Sequence, residues 1–344
     1  MKQTAVVVAP GRGTYNKTEL GYLARHHKGR TDLLDRFDDF RRSAGQPTLS
    51  ELDAAKRFSG DNYTRGDNAS ALIYSCAYLD FLAIDRTKFD VVGITGNSMG
   101  WYTAMACAGA LDEMGGLTVA NTMGTLMHQS LIGGQLIYPY TDEKWVEIPG
   151  RRAEIESKMQ EISRRQDHKL GLSIDLGGTM VLAGNAKGLA AFEDEMPQAQ
   201  NRFPMRLPNH GAFHTSLQAP VAAEGKAILP VSLSRQPGLT MIDGRGGLWH
   251  PKAANLQTLW DYTLGHQVVE PYSFSLAITV AARELMPDLF IVLGPGNILG
   301  GAVAQSLVRC NWHGWAGKED FQAAQLSQPH MLSMGLEEQR QLVV

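Results

Sequence analysis

The chain is poor in cysteine and modest in charge. Its 344 residues include three cysteines, Cys76, Cys107 and Cys310. They lie far apart, with no C-x-x-C pair, which excludes both a disulfide framework and a thiolate zinc site. Charged residues make up 19%, and 32 Lys+Arg against 35 Asp+Glu leave a net charge of −3. That balance, without any Lys/Arg-rich run, excludes the electrostatic footprint of a nucleic-acid-coating protein. Long apolar runs are missing too. The opening run Ala5–Ala9 is too short for a secretory leader, and no later run reaches the ~18 residues of a membrane span. The N-x-S/T triplets at Asn16, Asn62 and Asn68 then read as chance. The expectation is a soluble, reduced, cytoplasmic chain that binds neither nucleic acid nor membrane.

What the chain has is material for a core and many turns: 44% hydrophobic residues and 36 glycines. Ala5–Ala9 reads as a buried strand stopped by Pro10-Gly11. Residues 18–83 read as mostly helical, most clearly Ala69–Ile84, where Leu72, Ile73, Cys76, Leu79 and Leu82 recur at helical spacing. Phe89–Thr95 is a second buried strand, broken by Gly96-Asn97-Ser98-Met99-Gly100. The small apolar stretch Tyr102–Ala110 after it suits a helix packed closely on a sheet. Strand, turn, helix is the unit of an α/β fold. From 134 to 207 the pattern is strand–helix–strand–strand–helix–strand, the ferredoxin-like order, expected as a small inserted domain. After 208 the α/β pattern resumes, with a helix near 271–286 and a strand Leu289–Leu293 running into Gly294-Pro295-Gly296. The last stretch, polar and Gln-rich, is expected as a loosely attached tail.

Gly96-Asn97-Ser98-Met99-Gly100 is the sharpest chemical signal. In a nucleophile elbow the serine sits on a strained turn between strand and helix, and the flanking glycines permit the close approaches that the turn requires. The backbone N–H of Met99, opening the helix, can face an oxyanion. A serine nucleophile needs a base, and the chain has ten histidines. His210 and His214 fall together in a loop after a strand. Their H-x-x-x-H spacing evokes metal binding, but the Glu of H-E-x-x-H is absent and Gly211 weakens a helix, so no metal is expected. Gly294-x-Gly296-x-x-x-Gly300 imitates a dinucleotide fingerprint one residue too long and reads as a tight turn; no cofactor is expected.

Pro10-Gly11-Arg12-Gly13-Thr14, the serine elbow with Trp101-Tyr102-Thr103-Ala104 after it, Gly211-Ala212-Phe213-His214, and Gly294-Pro295-Gly296 with Leu299 occur in one order and spacing. Together they resemble the malonyl-CoA:acyl carrier protein transacylases, over residues 4 to about 309. The resemblance implies an α/β-hydrolase-like large subdomain (1–133 and 208–344) with the ferredoxin-like small subdomain (134–207) inserted. It implies an acyltransferase taking an acyl group from acyl-CoA, through an acyl-serine, to the phosphopantetheine thiol of an acyl carrier protein, working as a monomer. Ser98 is then the nucleophile and His214 its base, with Gln267 in Gly265-His266-Gln267-Val268 marking the backbone carbonyl that orients the base. The amides of Arg12 and Met99 form the oxyanion hole. Asn97, Trp101, Met123 and Phe213 fall on the substrate-binding surface.

Three departures from the family pattern bear on substrate. Asn97 replaces the elbow's usual His and Trp101 its Glu, and Arg12 stands where P-G-Q-G has Gln. The helix arginine that clamps a malonyl carboxylate falls on Met123, in a stretch Asn121-Thr122-Met123-Gly124 without any cation. A thioether cannot make a bidentate carboxylate clamp. An uncharged acyl group is therefore expected, unless Arg12 serves as a replacement clamp. Other readings of the same site are an acyl-thioester hydrolase, with water as acceptor, and a non-catalytic carrier-binding relative. A Ser…Asp…His hydrolase would instead use Asp288 and a late His313 or His330. Arg151-Arg152 and Arg164-Arg165 read as solvated helix charges, with a basic face for an acidic carrier as the sharper alternative.

Overall fold

The valine-rich opening run becomes the centre of the molecule. The computed structural model describes residues 2–344. In chain order its strands are β1 Gln3–Ala9, β2 Phe89–Gly96, β3 Gly134–Pro139, β4 Leu170–Leu176, β5 Thr179–Gly184, β6 Met205–Leu207, β7 Thr240–Ile242, β8 Leu248–Trp249, β9 Tyr272–Ser273, β10 Leu289–Val292 and β11 Met331–Ser333. They form two sheets, with orders β11-β10-β1-β2-β7-β8 and β6-β3-β5-β4-β9. The first is parallel except for β8, which returns antiparallel on β7. This is a mixed α/β protein.

Burial on both faces explains why β1 is apolar throughout rather than alternating. Ala5, Val7 and Ala9 join one core with the helices Gly66–Ala83, Gly100–Cys107 and Glu113–Gln129. Val6 and Val8 point the other way, into a core with the helices Phe274–Glu284 and Ile298–Arg309. Alternate side chains of one strand thus anchor two helical layers. The Gly66–Ala83 helix is buried along most of its length, which accounts for its nearly continuous small and apolar sequence.

The second sheet has its own core. Leu136, Tyr138, Leu182, Ile155, Ile162, Leu189 and Phe192 pack it against the helices Arg151–Ser163 and Ala186–Glu195. β3, β5, β4 and β6 pair antiparallel, and the order 6-3-5-4 is that of a split βαββαβ unit. A fifth strand, β9, adds in parallel to β4 at the far edge. It comes from the segment that follows Gln267, so the second sheet is tied directly to the site described below. The helix arginines are engaged locally: Arg151 with Glu154, Arg152 with Glu156 and Asp175, Arg165 with Glu161 and Glu195. That favours solvated, paired helix charges over a free basic face.

The end of the chain corrects the sequence reading. Residues 331–333 form β11, the edge of the central sheet, and Glu337–Val343 is a helix. Its Arg340 is buried and donates to Asp80 Oδ1 at 2.7 Å. His27 Nε2 lies 2.9 Å from the same oxygen, while Tyr22 Oη and the Gly294 amide donate to Oδ2. Burial would raise the Asp80 carboxyl, but the His27 hydrogen bond and the Arg340 charge hold it below its ordinary range. The polar composition misled because the segment's one buried cation finds its partner almost the whole chain away. Gly294-Pro295-Gly296 closes the sheet as a turn: Gly296, at φ +68°, lies against the Thr14 carbonyl, where a Cβ would stand 2.5 Å away.

Candidate active site

The turn after β2 is built by close backbone approaches. A Cβ on Gly96 would lie 2.2 Å from the Gly100 carbonyl oxygen, and one on Gly100 would lie 2.3 Å from that of Ala9. A Cβ on Gly11 would stand 2.6 Å from the Asn97 carbonyl oxygen. Only glycine fits at these positions without a backbone shift. The Asn97 amide donates to Ala9 O at 3.0 Å and the Gly100 amide to Asn97 O at 2.8 Å. Between them Ser98 takes φ +55°, the left-handed conformation of a nucleophile elbow. The Gly100–Cys107 helix starts at once, with no side-chain cap at Met99. Among the described residues, the amides of Met99 and Arg12 donate to no protein acceptor, so both remain available to an oxyanion.

His214 comes from the loop after β6, itself at φ +57°, with its amide donating to Val268 O at 3.1 Å. Its Nδ1 lies 2.6 Å from the Gln267 carbonyl oxygen and its Nε2 lies 2.7 Å from Ser98 Oγ. A carbonyl only accepts, so Nδ1 carries the proton and Nε2 presents a lone pair to the serine hydroxyl. Burial lowers the His214 pKa to about 4, partly opposed by the Gln267 carbonyl. The imidazole is therefore neutral at pH 7. Gln267 follows a π-helical turn, Tyr262–His266. Its Nε2 donates to Ser98 O at 3.0 Å and its Oε1 accepts from Tyr102 Oη at 3.3 Å. One residue thus holds both the serine backbone and the histidine ring.

Two cavities meet at Ser98. The narrow one, about 20 Å³, is walled by Met99, Tyr102, Met123, Met127, Phe213 and His214. It has room for a group about the size of one water or methyl. The other, about 370 Å³, lies between the two sheets, lined by apolar residues including Ile137, Ile174, Val181, Leu207 and Leu299. Arg12, Ser98 and Phe213 border both. Asn97 lines the larger cavity, and its Oδ1 is buried without a partner. Met123 is fully buried in the wall of the narrow one.

Trp101 requires a correction. Its indole is completely buried, donates to Thr263 Oγ1 at 2.9 Å and packs edge-on against Tyr262. It borders neither cavity and cannot touch a substrate; its role is to seat the π-helical turn. Helical geometry explains this, since two positions past the elbow's Met99 the side chain already faces the core. His210 is held by Gln135 Oε1 at 2.8 Å and lines the larger cavity only. His313 and His330 pack against each other with tilted rings beside Trp312 and Trp315, away from both cavities. Sequence reasoning missed Tyr102 as the residue steadying Gln267; an apolar-looking helix gave no signal for it.

A strained serine on a strand–helix turn, faced by a carbonyl-held histidine, defines the class of serine α/β enzymes. No protein-family model matches the sequence. Within that class the chain is similar to the malonyl CoA-acyl carrier protein transacylase of Bacillus subtilis (strain 168), at 24% identity over 222 residues. That match covers 63% of this chain and 66% of the relative, just under two thirds of its length. The malonyl-CoA:ACP transacylase structure from Synechocystis sp. PCC 6803 superposes with a TM-score of 0.74 at 14% identity, covering 99% of this chain and 100% of that one. A type II PKS acyl-carrier protein in complex with its malonyl-transacylase contains a chain matching at TM-score 0.69 and 14% identity, over 89% of this chain and 93% of that one. The fold is that of these transacylases.

Proposed function

We propose that the protein is a serine acyltransferase that moves an acyl group from a coenzyme A thioester to the phosphopantetheine thiol of an acyl carrier protein. The observation that carries this is the Ser98 Oγ–His214 Nε2 contact at 2.7 Å, with Nδ1 on a backbone carbonyl rather than a carboxylate. Ser98 Oγ attacks the thioester carbonyl while Nε2 takes its proton, and the oxyanion rests on the amides of Met99 and Arg12. The C–S bond then breaks, and the leaving sulfur receives the proton from Nε2. The incoming thiol runs the sequence backwards: it gives its proton to Nε2, attacks the acyl-serine, and Ser98 regains its proton. Thiolates leave easily, so a base held by a neutral carbonyl suffices.

The similarity to acyl carrier protein transacylases, and to one seen in complex with an acyl-carrier protein, supports a carrier as acceptor. In this reading, residues 1–133 and 208–344 are the catalytic subdomain and 134–207 the small subdomain, with the larger cavity between their sheets admitting the pantetheine arm. Met123, taken alone, favours an uncharged acyl group. Intact-mass spectrometry after incubation with acyl-CoAs tests the proposal. A Ser98-bound adduct that transfers to a carrier thiol is expected, and an adduct lost to water at the same rate with or without carrier would make the protein a hydrolase. No adduct with any acyl-CoA would overturn the proposal.

A further inference from the structure

Among the described residues, Arg12 is the one cation, Lys or Arg, bordering either cavity at Ser98. Its guanidinium is held by the backbone: Nη2 donates to the Thr64 and Asn209 carbonyls, and the plane lies 5.3 Å from the Phe213 ring centre. These contacts use two of the five N–H donors. Nε and Nη1, carrying the other three, are shut off from solvent and have no partner. Burial lowers the Arg12 pKa to about 10, so the group stays charged at neutral pH. The acid whose charge reaches it, Asp67, is already paired with Arg65 through two hydrogen bonds, at 3.1 and 2.8 Å. A positive charge is therefore fixed, enclosed and without a protein counter-ion at the reacting serine. Buried charges left in that state are costly and call for an anion.

We propose that Arg12 is a specificity-determining residue that anchors a carboxylate at the far end of the acyl group. Its side chain would act from the oxyanion side of Ser98, while its amide belongs to the oxyanion hole. Position matters here. The narrow cavity, walled by Met123, Met127 and Tyr102 among others, offers about 20 Å³ of space, which leaves no room there for an extended alkyl chain. A short acyl group ending in an anion can turn toward the junction of the two cavities, where a small shift of the Arg12 side chain would present its three unpartnered donors. A coenzyme A phosphate is the competing anion, but it lies at the far end of the pantetheine arm from the thioester. This inference rests on the acyltransferase reading for its substrate, and replaces the uncharged preference that Met123 alone suggests.

The test separates binding from acylation. With Ser98→Ala as background, the affinities of malonyl-CoA and acetyl-CoA are compared by titration calorimetry. The two donors share every phosphate and differ in one carboxylate. A charge-assisted contact to an enclosed guanidinium predicts malonyl-CoA binding tighter by roughly tenfold or more. Adding Arg12→Gln should bring the ratio close to one, and Arg12→Lys should restore part of it. Equal affinities in Ser98→Ala itself, or a ratio that survives Arg12→Gln, would overturn the proposal. So would equal weakening of both ligands by Arg12→Gln, which would assign the guanidinium to phosphate. Acylation of the unaltered protein by either donor is read separately by intact mass. Its failure would remove the acyltransferase reading while leaving the calorimetric result for Arg12 in place.

Discussion

At Ser98 and His214 the backbone does part of the positioning, since both residues take left-handed φ values, +55° and +57°. Such conformations cost a non-glycine residue about 1 kcal/mol or more, and here they aim Oγ at Nε2. Ser98→Ala should abolish the acyl adduct and shift unfolding by less than ~1 kcal/mol, because only one partly buried hydroxyl is lost; an adduct persisting in that variant would move the nucleophile elsewhere. His214→Ala should slow transfer by about 10²–10⁴, the range for a general base, while His210→Ala, which removes a ring bonded to Gln135 rather than to Ser98 Oγ, should do far less; stopped-flow loading rates decide between them. With its pKa lowered to about 4, His214 remains a free base across the neutral range. Transfer should therefore be flat from pH 6 to 8 as far as His214 controls it, and should fall only as pH approaches about 4. The same shift bears on stability. An unfolded histidine takes a proton below about 6.5, whereas folded His214 resists until about 4. Folding thus loses roughly 3 kcal/mol as pH drops through that window, a loss that His214→Gln should remove from denaturant titrations at pH 4–7.

Among the elements, the strand–turn–helix of β2 and the Gly100–Cys107 helix carries the tightest geometric demand. Gly100→Ala places a Cβ 2.3 Å from the Ala9 carbonyl oxygen, so β1 and the elbow must separate. The expected result is destabilisation of about 2 kcal/mol or more together with loss of acylation. Gly301→Ala is the matched control. It sits exposed in the Ile298–Arg309 helix with nothing within 4 Å of its would-be Cβ, and should stabilise by roughly 0.5–1 kcal/mol. Chemical denaturation of the two variants tests the contrast directly. These elements were legible in the sequence because an apolar β-branched run followed by G-x-S-x-G and small residues has few other solutions. The segment delivering Gln267 was not. A π-helical turn arises where i→i+5 hydrogen bonds replace i→i+4 ones, and nothing in Tyr262–His266 distinguishes that from an ordinary helix. β7 was missed for a similar reason: with three residues it is too short to show a period.

For the whole molecule, the C-terminal segment is structural. Arg340 brings the last helix onto Asp80, and Asp80 in turn holds the Gly294 amide and the Tyr22 hydroxyl. Arg340→Met leaves Asp80 short of its buried counter-charge, which should cost about 3–5 kcal/mol and lower the melting temperature accordingly. If the segment were a loose tail, melting would hardly change. By itself the sequence determined the mixed α/β class, the six-element pattern between 134 and 207, the serine turn and its histidine. Each of these is written in local periodicity, in glycine placement or in motifs within one short stretch. Tertiary structure alone decided that β9 extends the second sheet, that Trp101 faces the core, and that Arg340 closes on Asp80. It alone left Arg12 enclosed at Ser98 with three unused donors. Burial and partnering are properties of what the rest of the chain brings near a residue, and Thr64, Asn209 and Phe213 reach Arg12 from far along the sequence.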